Sequence, residues 1–271
     1  MSKPIRIDVE AVLASKAGNK ARFVPRFLIS YLKKIIHQDE MNGFLELYGD
    51  KSDYDFIEAF MEFFNNSFEV NGLENLPKDG RRLTFVSNHP LGAQDGLGLA
   101  YILSPQYEGK IKFLVNDLLM NIPQISSFWI PVNKTGSQAR NFPQQVNAAF
   151  ESDNHIVMFP AGLCSRKRKG VIRDLEWKKT FITKSIASKR DIVPIHFEGE
   201  NSKFFYRVAN INRMLGLKFN IAMLYLADEM FKNRNKTFKV TIGKPISWQT
   251  FDKSKSAAEW AQYVKELVYT L

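Results

Sequence analysis

His89 and Asp95 stand close together in Ser87-Asn88-His89-Pro90-Leu91-Gly92-Ala93-Gln94-Asp95-Gly96, directly after the apolar run Leu83-Thr84-Phe85-Val86. An imidazole and a carboxylate so placed are the parts of a general base. A neutral imidazole takes a proton from a hydroxyl at physiological pH when a carboxylate accepts its other N–H and so fixes the tautomer. Pro90, Gly92 and Gly96 disfavour a continuous helix through this stretch, which leaves His89 at a strand end and lets Asp95 curl back toward it. The same residues also fit a capped turn, in which Asp95 N-caps a helix over 96–103 and His89 is a surface residue.

A second chemical cluster is Gly162-Leu163-Cys164-Ser165-Arg166-Lys167-Arg168-Lys169. Backbone N–H groups near a glycine, with clustered cations, suit a phosphate or a carboxylate. Arg166 and Arg168 can bind an anion through two parallel N–H groups, whereas a lysine acts as a point charge; a solvated basic surface is the expectation for Lys167 and Lys169. Cys164 beside Arg166 and Lys167 raises a rival, a lowered thiol pKa and covalent catalysis. Of the remaining histidines, His37 ends an amphipathic helix, His155 starts an apolar strand and His196 ends another, so each is expected to be structural or superficial.

The elements that position these groups follow from periodicity. Pro25 opens a helix over 25–37 with Leu28, Tyr31, Leu32 and Ile35 on one face and Arg26, Lys33 and Lys34 off it. Such a face packs on a core or lies at a bilayer interface. A phenylalanine-rich helix spans 54–64, with core packing as the expected use. Strands are expected at 68–72, 83–87, 111–115, 156–159, 192–196, 221–226 and 238–242, and a closing helix at 256–269. Intervals long enough for helices between the short apolar runs give an α/β fold, a mixed sheet flanked by helices. Residues 1–66 read as a helical N-terminal extension, which could be apposed to a membrane, and residues 67–271 as a single catalytic domain.

With 271 residues and 45% hydrophobic content, the chain can bury one sizeable core. Its longest apolar runs fall short of the roughly 20 residues of a membrane span. Met-Ser-Lys-Pro-Ile-Arg lacks the apolar stretch of a signal peptide, so a soluble or peripheral cytoplasmic protein is expected. One cysteine excludes an intramolecular disulfide and a multi-cysteine zinc site. A net charge of +10 favours an anionic partner. Nucleic acid is not the expected one, because no zinc-finger spacing, RNA-binding aromatic signature or long basic helix is present.

Four segments in order resemble the glycerolipid, or lysophospholipid, acyltransferases over residues 68–245. They are Asn88-His89 with Asp95; Ile130-Pro131-Val132-Asn133-Lys134; Phe159-Pro160-Ala161-Gly162-Leu163-Cys164-Ser165-Arg166; and Ile192-Val193-Pro194-Ile195. The His-to-Asp spacing is one residue longer than the family's Asn-His-x-x-x-x-Asp, with Gln94 at the carboxylate's usual place. Ala161 replaces the family's glutamate and Cys164 its arginine, so Arg166 lies two positions further on. His-Pro-Leu-Gly-x-x-Asp with Phe-Pro-Ala-Gly resembles a divergent bacterial branch.

The resemblance implies a glycerolipid acyltransferase-like fold. It implies His89 as general base oriented by Asp95, and transfer without an acyl-enzyme. It implies Lys134, Gly162 and Arg166 as substrate-binding residues, to which the chemistry of the basic cluster adds Arg168. The co-substrate would be acyl-CoA or an acyl carrier protein, with no metal or other cofactor. The expected acceptor is a lysolipid at the inner, anionic face of the cell membrane. The leading acceptor expectation is 1-acylglycerol 3-phosphate, in phospholipid biosynthesis. The altered third segment points alternatively to an amino-acid lysolipid, an ornithine or glycine lipid. A catalytically silent lipid-binding module is the alternative of another class.

Overall fold

The computed structural model describes residues 6–116, 122–132, 142–217 and 220–271. Its first helix, α1 (Val9–Ala17), is capped by Asp8, which accepts the backbone N–H groups of Glu10 and Ala11. Then come α2 (Arg26–Ile36), behind Pro25, α3 (Gln38–Tyr48) and α4 (Asp53–Phe64). His37 joins α2 to α3 at φ 54°; its ring stacks on Phe231 at 3.8 Å, and its two nitrogens lie 3.1 Å from Glu40 and 3.1 Å from Asp228. Phe56, Phe60 and Phe64 of α4 are buried in one cluster with Leu83, Phe85 and Val193 of the sheet. Each phenylalanine removed from water contributes roughly 1.5–3 kcal/mol, which accounts for this face by core packing alone.

The sheet has seven strands: β1 (Ser67–Asn71), β2 (Leu83–Ser87), β3 (Ile111–Asn116), β4 (Trp129–Val132), β5 (His155–Met158), β8 (Asp191–Phe197) and β9 (Thr237–Ile242), in the order β1-β9-β8-β2-β5-β3-β4. Only the β8–β9 pair is antiparallel. Side chains alternate between two apolar clusters, because successive strand residues point to opposite faces. Phe85, Phe113 and Val157 face α4 and α5 (Ala93–Leu103). Val86, Ile156 and Ile192 face α6 (Phe142–Glu151), α7 (Thr180–Ser188) and α10 (Ala257–Val268). β2 and β5 are buried throughout, as central parallel strands covered on both faces must be.

A separate antiparallel ribbon, β6 (Arg166–Arg168) and β7 (Val171–Arg173), turns at Lys169 (φ 49°) and Gly170 (φ 84°). Two successive positive φ values match the right-handed twist of a two-residue hairpin. α8 (Lys203–Met214) packs on this ribbon, and α9 (Leu226–Lys232) on α2. One expected strand, 221–226, is absent: Ile221–Tyr225 is a 3-10 turn leading into α9. Its Ile-Ala-Met-Leu-Tyr-Leu sequence holds a single β-branched side chain, and packing against α8 and α2 decides the rest.

β2 is the switch point of the sheet. α5 leads from it toward β3 on one side, and β8 pairs with it on the other. Ligands in open α/β sheets bind outside the carboxyl ends of strands at such a point. The carboxyl ends of β2, β5 and β8 carry Asn88-His89, Phe159-Pro160-Ala161-Gly162 and Glu198-Gly199-Glu200-Asn201 respectively.

Candidate active site

His89 follows β2 directly, and its Nδ1 lies 3.1 Å from Asp95 Oδ2 and 3.0 Å from Oδ1. Asp95 is the third residue of α5, whose helical backbone runs through Gly96 and starts earlier than the sequence suggests, at Ala93. Oδ2 also accepts the backbone N–H of Leu91 at 2.9 Å and of Gly92 at 3.3 Å. The two sequence readings therefore coexist: the carboxylate that satisfies a helix N-terminus also holds the imidazole. Gly92, at φ 93°, makes the reversal that absorbs the extra residue; a Cβ there would lie 3.2 Å from Cys164 Sγ and 3.1 Å from the Leu226 side chain. Gln94, at the family's carboxylate position, turns away and donates to Asn66 Oδ1 at 2.6 Å.

The Asp95 carboxylate is fully buried, whereas the His89 side chain keeps 18% of its exposure. The ring stacks on Phe159 at 4.2 Å, and Nε2 has no hydrogen-bond partner among the described residues. Burial opposes the imidazolium, but Asp95, by charge and hydrogen bond, and then Asp174 outweigh burial and Arg166, so the His89 pKa is raised above 6.5. A base so tuned holds a transferred proton more firmly than a free imidazole does.

Two further side chains fix the backbone around His89: Asn88, which the sequence places beside it in the motif without a role, and Asp174, which the sequence does not mark. The Asn88 amide donates to Phe197 O at 2.9 Å and accepts Phe197 N–H at 2.7 Å, extending the β2–β8 pairing by one side chain. Asp174, only 5% exposed, accepts the His89 backbone N–H at 3.2 Å, the Ser165 hydroxyl at 2.6 Å and the Trp177 indole N–H at 2.9 Å. Ser165 N–H in turn donates to His89 O at 2.7 Å. The third sequence segment thus clamps the histidine's own peptide. No spacing in the sequence marks Asp174; only contacts between distant segments reveal it.

Gly162 closes the turn after β5 by donating its N–H to Phe159 O at 2.9 Å, and its φ of 67° suits glycine. Arg166 donates to Cys164 O at 2.6 Å and lines, with Arg168, a cavity of about 340 Å3. Arg173 and Lys265 complete its cationic wall, and Asp174 and Glu176 also border it. Lys265 donates to Asp174 O at 2.9 Å, and burial holds its ammonium below the ordinary lysine value despite the nearby Asp174 charge. Guanidinium forks in such a cavity match the geometry of a carboxylate or a phosphate. The structure thus brings His89, Asp95, Gly162, Arg166 and Arg168 to one end of the sheet. Lys134 lies outside the described residues.

Cys164 does not support a thiolate nucleophile. Its side chain packs with Phe205, Tyr206, Ala209 and Ala222, and burial, then the Asp95 charge, pushes its pKa up to about 12. His155 is buried against Tyr107 at 4.1 Å, and burial, with Arg190 and Lys110 nearby, lowers its pKa to about 4. His37 clamps α2 to α9, as described above.

A model of the acyltransferase family matches residues 11–271, nearly the whole chain. The chain belongs to the acyltransferase family. Two curated relatives named lyso-glycine lipid O-acyltransferase align over 265 residues. The one from Phocaeicola vulgatus is 63% identical, over 98% of this chain and 95% of its own length. The one from Bacteroides thetaiotaomicron is 62% identical, over 98% and 97%. The solved structure of the 1-acyl-sn-glycerophosphate (LPA) acyltransferase PlsC from Thermotoga maritima aligns with a TM-score of 0.48 at 14% identity, covering 97% of this chain and 94% of that one. By the family match and the two curated relatives, the acyltransferase carries its resemblance through the N-terminal helices as well, and not in the four short segments alone.

Proposed function

We propose that this acyltransferase moves a fatty acyl group from an acyl thioester to the hydroxyl of an amino-acid lysolipid, and that lyso-glycine lipid is its acceptor. The observation that carries the acceptor is the 63% and 62% identity to the two lyso-glycine lipid O-acyltransferases over 98% of the chain. A glycine acylated on its nitrogen keeps a carboxylate, and Arg166 and Arg168 line a cavity that suits one, Arg173 there being already paired with Glu266 at 2.9 Å. A phosphate headgroup fits the same cations, so 1-acylglycerol 3-phosphate is the second reading.

His89 Nε2 takes the hydroxyl proton while Nδ1–H donates to Asp95. The acceptor oxygen bonds to the thioester carbon, the carbon–sulfur bond breaks, and the proton passes from Nε2 to the leaving thiolate. No residue of the protein is acylated. The thioester is drawn from acyl-CoA or an acyl carrier protein.

Such an acceptor lies in a bilayer, and the exposed apolar surface supports a peripheral contact. No helix among the described residues is long and apolar enough to cross a membrane. The α2 stripe buries Ile35 but leaves Leu28 and Tyr31 exposed, and Phe23 and Phe27 are 72% and 76% exposed. Across the 221–225 turn, which contacts both α2 and α8, Met214 at the end of α8 is 75% exposed. Arg22, Arg26 and Arg213 border these residues and suit anionic headgroups.

The test is thiol release from palmitoyl-CoA and a palmitoyl carrier protein with lyso-glycine, lyso-ornithine and lysophosphatidic acceptors, with His89→Ala as control. Release that requires lyso-glycine lipid and disappears in the variant is the expected result. Preference for lysophosphatidic acid would overturn the acceptor. Lipid binding without release from any pair would favour a silent lipid-binding module.

A further inference from the structure

The β6–β7 ribbon divides two cationic cavities. Arg166 and Arg168 line the first, whereas Lys167, between them on the strand, lines a second of about 210 Å3, as strand alternation requires. Lys203, Lys232 and Lys236 complete the second cavity's cations, against the carboxylates of Glu200 and Glu229. Lys232 is already paired with Asp228 at 2.7 Å and Glu229 at 2.9 Å, and Lys236 donates to Asn233 at 2.7 Å. Lys167 and Lys203 have no ion-pair partner among the described residues. The cavity therefore holds two uncommitted ammonium groups.

An independent feature is Asn201, which lines the same cavity and is only 4% exposed. Its Nδ2 donates to Pro90 O at 3.0 Å, in the loop that carries His89. That bond fixes which end of the amide is which, and it leaves Oδ1 buried without a hydrogen-bond partner. A buried acceptor in this state calls for an N–H or O–H donor. The cavity thus combines sites for an anion with an unfilled site for a neutral donor, next to the catalytic loop.

We propose that this lysine-lined cavity binds the phosphopantetheine arm of the acyl donor, with phosphate at Lys167 and Lys203 and an amide or hydroxyl donor of the arm on Asn201 Oδ1. The inference rests on the thioester reading above. Acyl-CoA and acyl carrier protein share this arm, whose phosphate is followed by a hydroxyl and two amides before the thioester. Lysines on flexible stems suit a phosphate on a mobile arm, and arginine forks suit a fixed carboxylate. Donor and acceptor then reach His89 from opposite faces of one ribbon. A direct transfer needs both present at once, which this division provides.

The experiment compares the full-length wild type with Lys167→Ala/Lys203→Ala. The donors are palmitoyl-CoA, palmitoyl carrier protein and palmitoyl-N-acetylcysteamine, which lacks the phosphate. The expected result is that the kcat/KM advantage of the phosphopantetheine donors over the truncated thioester shrinks about tenfold in the variant, through donor KM, on the order of losing two partly solvated charge contacts. A loss confined to one of the two larger donors identifies the source of the arm. An equal loss with the truncated donor, or a loss in acceptor KM instead, would overturn the inference. Calorimetric titration with CoA, folding being checked by thermal melting, keeps the cavity testable if the wild type turns over no thioester: Kd should then weaken about tenfold in the variant. An unchanged Kd, together with unchanged carrier-protein kinetics wherever turnover exists, would remove the proposal.

Discussion

Replacing Asp95 by asparagine tests the catalytic pair with almost no change in shape. The carboxylate is fully buried and accepts from Leu91 N–H, Gly92 N–H and His89 Nδ1 together. The two backbone donors cannot reverse their polarity, so the introduced amide must turn its carbonyl oxygen toward them and present its NH2 group to the ring. Nδ1 then accepts, the proton sits on Nε2, and the base is blocked. General-base catalysis contributes about 10²–10⁴-fold, and the wrong tautomer forfeits the upper part of that range. We expect kcat to fall by about 10³-fold, which corresponds to about 4 kcal/mol of barrier. Loss of a charged acceptor at a helix N-terminus should also cost about 1–2 kcal/mol of stability. Because Asp95 helps raise the His89 pKa, the acidic limb of kcat/KM should move down in the residual activity of the variant. The assay is a pH–rate profile for both proteins with a thermal melt at each pH. A variant within tenfold of wild-type kcat, with its acidic limb unmoved, would refute the assigned roles.

Cys164→Ser should keep activity within about threefold, since the thiol is buried with its pKa pushed up to about 12, and native protein should resist iodoacetamide. Gly92→Ala should destabilise by about 1–3 kcal/mol in urea titration, because φ is 93° and the new Cβ meets Leu226 at 3.1 Å. His155, with a folded pKa of about 4 against an ordinary value near 6.5, binds its proton more readily unfolded. Its contribution therefore lowers stability as pH falls from about 6.5 to 4, by about 3 kcal/mol in all. His155→Phe, which keeps a ring beside Tyr107, should flatten the pH dependence of the urea midpoint over that window.

The contact between His89 and Asp95 was legible because both lie within one short loop, although the same residues fitted a capped turn equally well. The central strands were legible for a similar reason: β2, β5 and β8 are buried and read as short apolar runs. The arginines of the third segment could be offered to an anion from their chemistry and the family resemblance together. The ribbon that sorts Arg166 and Arg168 from Lys167 was not visible, since three-residue strands carry too little periodicity to register. The strand expected at 221–226 failed because a short apolar run is consistent with more than one backbone, and its neighbours α8 and α2 select the 3-10 turn.

Residue types and local order by themselves determined the α/β architecture and the positive charge, and the reaction class followed from the ordered resemblance of four segments to the acyltransferases. Tertiary structure alone decided that the longer His-to-Asp spacing still makes a pair, because Gly92 reverses the chain and α5 starts early enough to return Asp95 to the ring. It also decided that Asp174, far along the chain, clamps the His89 peptide, and that Cys164 packs in the core. Each of these depends on which distant segments share one end of the sheet. A pattern confined to neighbouring residues holds no record of contacts made across the fold.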